Sequence, residues 1–143
     1  MKKLLFYALS FTWGIIMTII GFVVAFVLVI TGHKPKKYGL CYHFEMGKGR
    51  GGLSLGMVML TNVGASTHIR NHEHGHALQN CIWGPLMPFV IMIPSAARYW
   101  LRELWSHQGK HLDPYDSVWF EGQASKWGTI FIDRLEDDDS EDN

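Results

Sequence analysis

Charge is what the first part of this chain lacks. No charged residue occurs from Leu4 to Ile30, a stretch dominated by Leu, Ile, Val and Phe. An apolar helix of that length is enough to cross ~30 Å of hydrocarbon. A cleaved signal peptide fits less well, because it would have an apolar region of only ~7–15 residues and end in small residues at a cleavage site. Residues 1–32 are therefore expected to form a retained transmembrane anchor. Cysteine is scarce too: Cys41 and Cys81 stand alone with no C-x-x-C spacing, which argues against a Cys-based zinc site or redox motif. As free thiols they suit a reducing compartment. The glycine-rich run Gly47–Gly52 lacks the G-x-x-x-x-G-K-[ST] order of a phosphate loop. No nucleic-acid recognition module accompanies the scattered basic residues, so nucleic acid is not an expected partner. At 143 residues the chain holds one domain at most.

Net charge is zero, but it is unevenly distributed. Residues 1–110 carry eleven Lys/Arg against three Asp/Glu, and residues 111–143 carry two against ten. The acidic tail from Glu136 to Asp142 is expected to be disordered and solvated. Lys34, Lys36, Lys37, Lys48 and Arg50 follow the apolar run and outnumber Lys2 and Lys3 before it. The positive-inside rule then puts the following segment on the cytoplasmic side. A second apolar segment, residues 81–105, is interrupted by Pro85, Pro88 and Pro94. It reads as a kinked span, a re-entrant or interfacial segment, or a proline-bent core helix. Trp100 and Trp105 lean toward membrane contact.

The chemistry lies in His72-Glu73-His74-Gly75-His76, which contains H-E-x-x-H. On a helix His72 and His76 share a face and can hold one metal ion, with Glu73 one step around as the base for a metal-activated water. The absence of proline between Lys37 and Gly84, caps at Asn62, Ser66 or Thr67, and the stop at Gly84-Pro85 all favour a helix. On a strand, by contrast, His72, His74 and His76 would point the same way and form a three-histidine site. Gly75 is costly in a helix interior. Close approach by another segment would explain it.

A catalytic zinc site needs a third protein ligand, and Glu121 is the candidate. Asp113 as cap, Pro114 as first residue and Gly128 as terminator outline a helix on which Val118, Glu121 and Ser125 share a face. The alternative is that Glu121 is a surface carboxylate. Asn71 or Gln79 is placed to support the ligands from behind. Arg98 and His107 are the oxyanion stabilisers suggested by residue type, and the His107/His111 pair is a weaker metal candidate. His33, His43 and His68 read as isolated interfacial or surface residues. Residues 38–60 alternate as a β-hairpin, with a return strand from Leu53 to Leu60 whose edge could take up an extended peptide.

Several of these segments resemble a group of small bacterial membrane proteins. The similarity is carried by Gly51-Gly-Leu-Ser-Leu-Gly56, Asn71-His-Glu-His-Gly-His-Ala-Leu-Gln79, Trp83-Gly-Pro-Leu86, Ile93-Pro-Ser95 and Trp119-Phe-Glu121-Gly-Gln-Ala124, within roughly residues 51–128. It departs at Met87, where a tyrosine is usual, and at His74, where an aromatic is usual. The resemblance implies a membrane-embedded metallopeptidase with H-E-x-x-H plus glutamate ligation, as in gluzincins, in a bacterial inner membrane.

The expected architecture is an α+β membrane protein. It has an N-terminal transmembrane helix (1–32), then a zincin-like membrane-associated domain (33–132) and a disordered acidic tail (133–143). The middle domain contains a short β-hairpin, the H-E-x-x-H helix, the Pro-kinked apolar segment and a Glu121-bearing helix. The leading function is a zinc-dependent hydrolase, a peptidase using Zn²⁺ held by His72, His76 and Glu121 with Glu73 as base. It would act on a peptide or membrane-protein substrate beside the lipid bilayer. The competing functions are a small membrane protein whose metal is purely structural, and a metal-free adaptor.

Overall fold

The uncharged N-terminal run does not form one helix. The computed structural model describes residues 2–47, 51–109 and 113–141, and in it the run divides into α1 (Lys2–Phe11) and α2 (Ile15–Ile30). Local chemistry makes the break. Thr12 Oγ1 donates to the Ala8 carbonyl at 2.7 Å, and Gly14 N–H bonds Leu9 O at 2.8 Å. Gly14 also lets another helix approach: a β-carbon there would lie 2.4 Å from Asn80 Nδ2, which donates to the Gly14 carbonyl at 3.1 Å. The expected single transmembrane helix is thus corrected to a bent pair. Among the described residues no single helix is long and apolar enough to cross a membrane. Two bent pairs meet that test by length and composition: Lys2–Phe11 with Ile15–Ile30, bent by 86°, and Thr67–Leu86 with Pro88–Ser106, bent by 117°.

The expected 38–60 hairpin is also corrected. Four strands, β1 (Lys36–Tyr38), β2 (Cys41–Glu45), β3 (Gly52–Leu55) and β4 (Val58–Thr61), form one sheet in the order β1-β2-β4-β3. Gly56, at φ 61°, turns the chain in the middle of the expected return strand and makes β3–β4 a tight hairpin of its own. β4 then lies beside β2 in parallel, with Tyr42 opposite Val58. α2 packs on this hairpin through Gly21, whose β-carbon would sit 2.1 Å from the Leu55 carbonyl oxygen.

The H-E-x-x-H segment is helical. α3 (Thr67–Trp83) starts at Ser66, whose side chain accepts from Ile69 N–H, and ends at Gly84, at φ 49°. Pro85, Pro88 and Pro94 each remove a donor from the helical ladder. The chain answers with a 3₁₀ turn at Gly84–Leu86 and a π turn at Pro88–Met92 before α4 (Ile93–Ser106).

α5 (Trp119–Glu141) differs from its expected bounds at both ends. Asp113 and Pro114 precede a 3₁₀ turn at Tyr115–Ser117 rather than open the helix. Gly128 lies inside it, because Ile132 and Leu135 dock with Phe6, Leu40, Met57 and Ala77 in a hydrophobic cluster and carry the helix onward. The expected disordered tail from residue 133 is therefore helical in its backbone as far as Glu141, and residues 142–143 lie outside the described residues. Cys41 and Cys81 are free, buried thiols.

Candidate metal centre

α3 and α5 make the most extensive contact of any two elements, and glycine permits it. A β-carbon on Gly75 would lie 1.9 Å from the Ala124 carbonyl oxygen, and one on Gly128 would lie 1.7 Å from that of Asn71. The close approach expected at Gly75 is therefore supplied by α5. It carries Glu121, fully buried, between His72 and His76.

The three side chains converge on one point. His72 Nε2 and His76 Nε2 are 3.1 Å apart, and Glu121 Oε2 lies 3.1 and 3.3 Å from them. The hydrogen bonds behind the rings fix which nitrogen carries the proton. Gln79 Nε2 donates to Phe120 O at 2.8 Å and Gln123 Oε1 at 3.0 Å, so its oxygen faces His76 Nδ1 at 2.7 Å and accepts there. Ser125 Oγ donates to Asp116 Oδ2 at 3.1 Å, so it accepts from His72 Nδ1 at 2.8 Å. With the imidazole protons on Nδ1, both Nε2 lone pairs face the Glu121 carboxylate.

Such an arrangement repels itself unless a proton or a metal ion lies within it. It also has the right size: tetrahedral zinc with nitrogen ligands at ~2.0–2.1 Å needs ligand atoms ~3.3 Å apart. The buried His72, His76 and Glu121 group can hold a metal ion. The electrostatics agree. Burial works against an ionised Glu121, yet hydrogen bonds from His72, His76 and Ser95, when those groups donate, outweigh it and hold the carboxyl well below the usual carboxylate range. Burial likewise opposes a charged His76, but Glu121 and Glu73 reverse the sign and raise its proton affinity. A field that attracts a proton to this point attracts a divalent cation more strongly.

Glu73 adjoins this group and lines a cavity of about 670 Å³ together with His72 and His76. Burial pushes its pKa up, Glu121 adds to the rise, and the two histidines oppose it. Gly52 of β3 is moulded around it, since a β-carbon there would lie 2.4 Å from Glu73 Oε1. The opposite wall is apolar, with Met87, Ile91 and Trp100. Among the described residues β3 pairs only with β4, and its residues Gly52 to Ser54 line the cavity.

The remaining histidines do not join the centre. His74 points to the other side of α3, stacked with Phe6 and Phe131, and accepts from Leu40 N–H at 3.3 Å. This excludes the three-histidine strand site. His43 bonds Thr61 Oγ1 within the sheet. His107 is exposed beside Glu103 at 3.5 Å, and His111 lies outside the described residues. Arg98 is turned to the Pro114 carbonyl and Ser117 Oγ, so neither residue suggested by type stabilises an oxyanion here. Asn71 bonds Tyr38 and Thr129 rather than a ligand, leaving Gln79 as the supporting residue that the sequence pointed to. Sequence reasoning missed Asp116. Only the placement of Ser125 one turn beyond Glu121 hinted at its side of the site. Comparison with protein-family profiles, curated proteins and solved structures finds no match to this chain.

Proposed function

We propose that the chain is a membrane-bound, zinc-dependent hydrolase that cleaves peptides. One observation carries this: His72 Nε2, His76 Nε2 and the fully buried Glu121 carboxylate meet at 3.1–3.3 Å beside a buried glutamate that opens to a cavity. Two imidazoles and one carboxylate, with no thiolate, are a donor set suited to zinc that leaves a fourth position open. Zinc, when bound, supplies positive charge that acidifies a water and polarises a carbonyl. Glu73 takes the water proton and delivers it to the leaving amine, a task favoured by its raised pKa. An extended peptide adds to the outer edge of β3, with Met87, Ile91 and Trp100 as apolar lining of the cavity beside it. The bent α1–α2 pair, with its outward face of Ile, Val and Phe, anchors the domain to the bilayer.

The test is zinc content and peptide hydrolysis measured on wild type, Glu73→Gln and His76→Ala. We expect about one zinc per chain in wild type and Glu73→Gln and almost none in His76→Ala, with hydrolysis reduced about 10²–10⁴-fold by Glu73→Gln. Undiminished turnover in Glu73→Gln removes its role as base. Zinc retention without any hydrolysis in wild type makes the ion a structural tie between α3 and α5.

A further inference from the structure

The two histidines are held from behind by different chemistry. His76 Nδ1 meets a neutral amide, Gln79, that belongs to the same helix. His72 Nδ1 meets a hydroxyl on α5, Ser125, which is itself oriented by a carboxylate from the 3₁₀ turn before α5. Resting on the metal site proposed above, we infer that Asp116, acting through Ser125, is a positioning residue that fixes the metal-binding tautomer of His72.

A serine hydroxyl is ambivalent. It can donate to His72 Nδ1 or accept from it, and only the second choice leaves the Nε2 lone pair facing the metal position. Asp116 removes the ambiguity. An ionised carboxylate only accepts, so with Oδ2 at 3.1 Å it takes the Ser125 proton and leaves the Ser125 lone pairs for His72. Oδ1 of the same carboxylate stands 4.0 Å from His72 Nδ1, and His68 Nε2 is 3.6 Å from Oδ2 at the rim.

The turn is held where this requires. Arg98 Nη2 of α4 donates to the Pro114 carbonyl at 3.1 Å and to Ser117 Oγ at 2.8 Å, and Arg102 donates to the Asp113 carbonyl. From the other side, a β-carbon on Gly122 would stand 2.7 Å from the Asp116 carbonyl oxygen, so the residue after Glu121 is the one that admits the turn. Arg98, which residue type alone suggested as an oxyanion stabiliser, serves the metal ligand from a distance instead.

Asp116→Asn tests this with little change of shape. The asparagine amide can donate to Ser125, which frees the hydroxyl to donate to His72 Nδ1 and moves the imidazole proton to Nε2. Zinc affinity is read by competition with a chromogenic chelator at fixed pH, and geometry by the visible spectrum of the cobalt(II)-loaded protein. We expect affinity to fall 10–100-fold in Asp116→Asn and Ser125→Ala, with an altered cobalt spectrum. Ser125→Thr, which keeps the hydroxyl, should stay within a few-fold of wild type. Gly122→Ala, which displaces the turn without touching the carboxylate, should weaken binding in the same way. Wild-type affinity and spectrum in both Asp116→Asn and Ser125→Ala would overturn the positioning role while leaving the metal site intact. Failure of wild type itself to bind zinc or cobalt would overturn both.

Discussion

The α3–α5 pair and the α1–α2 pair reverse the usual distribution of polarity. α3 buries Asn71, His72, Glu73, His74, His76, Gln79 and Asn80, and α5 buries Glu121 completely. α2, by contrast, exposes Ile19, Val23, Phe26, Val27 and Ile30. Polar groups inside are tolerable only where each has a partner. Here the Gln79 and Ser125–Asp116 networks hold His76 and His72, Asn80 donates to the Gly14 carbonyl, and the His72, His76 and Glu121 group can hold a metal ion. A contiguous apolar face outside is tolerable only where the surroundings are not water. The two pairs meet at their elbows: Trp13, at the α1–α2 break, donates to the Ile82 carbonyl at 3.0 Å, and Gly84 at the end of α3 makes room for its ring. The polar site is thus fastened directly to the apolar surface.

The heaviest blow to the polar half is one methyl group. Gly75→Ala drives a β-carbon against the backbone carbonyl of Ala124, and Gly128→Ala drives one against that of Asn71, so neither clash is relieved by a side-chain rotation. Each should cost about 3 kcal/mol or more, at the upper end of overpacking effects. Because the shift separates Glu121 from the histidines, bound zinc should fall with it. Thermal melts with zinc analysis check this, and either variant melting like wild type with full zinc would show that the helices have room to spare.

The legible parts of this protein were those set by near neighbours in sequence. Ser66, Gly84 and Pro85 bound α3 because caps act within a turn, and the four-residue spacing of His72 and His76 needs only helical geometry. Glu121 could be read as facing inward to join His72 and His76, but Asp116 behind Ser125 could not. The illegible parts depend on distant contacts. Gly128 reads as a stop from its own propensity, yet it continues a helix because Asn71 crosses it and Ile132 and Leu135 are buried beyond it. Gly14 lies in an uninterrupted apolar run, so hydropathy cannot see that Asn80 docks there. The parallel β2–β4 pairing escapes any local pattern, since alternation fixes which face of a strand is buried but not its neighbour.

A gentler perturbation of the polar half uses pH. His74 is fully buried between Phe6 and Phe131, and burial lowers its pKa from 6.5 to about 4. The unfolded chain takes up this proton as pH falls through 6.5, whereas the folded chain resists until about 4. The stability this histidine confers by remaining neutral is therefore complete above pH 6.5 and lost on acidification toward pH 4, by about 3 kcal/mol in all. His74→Phe should flatten that part of the stability–pH curve. Urea titrations of both proteins from neutral pH down to pH 4 measure it, and parallel curves would show that His74 titrates normally.

The last perturbation bears on the apolar half and decides what surrounds it. Val23 lies on the outward face of α2, where 59 % of its surface is exposed. If lipid covers that face, Val23→Arg places a charge in hydrocarbon at about 2.5–3.5 kcal/mol, and the protein should shift from the membrane fraction to the soluble or aggregated fraction. If water covers it, an exposed substitution changes stability by no more than about 0.5 kcal/mol and the distribution stays as in wild type. The zinc content of whatever remains folded sharpens the outcome. Loss of membrane association with zinc retained would separate anchoring from metal binding, because α2 supplies no ligand. An unchanged distribution would remove the bilayer from the apolar face and leave another protein surface, such as a second copy of the chain, to cover it.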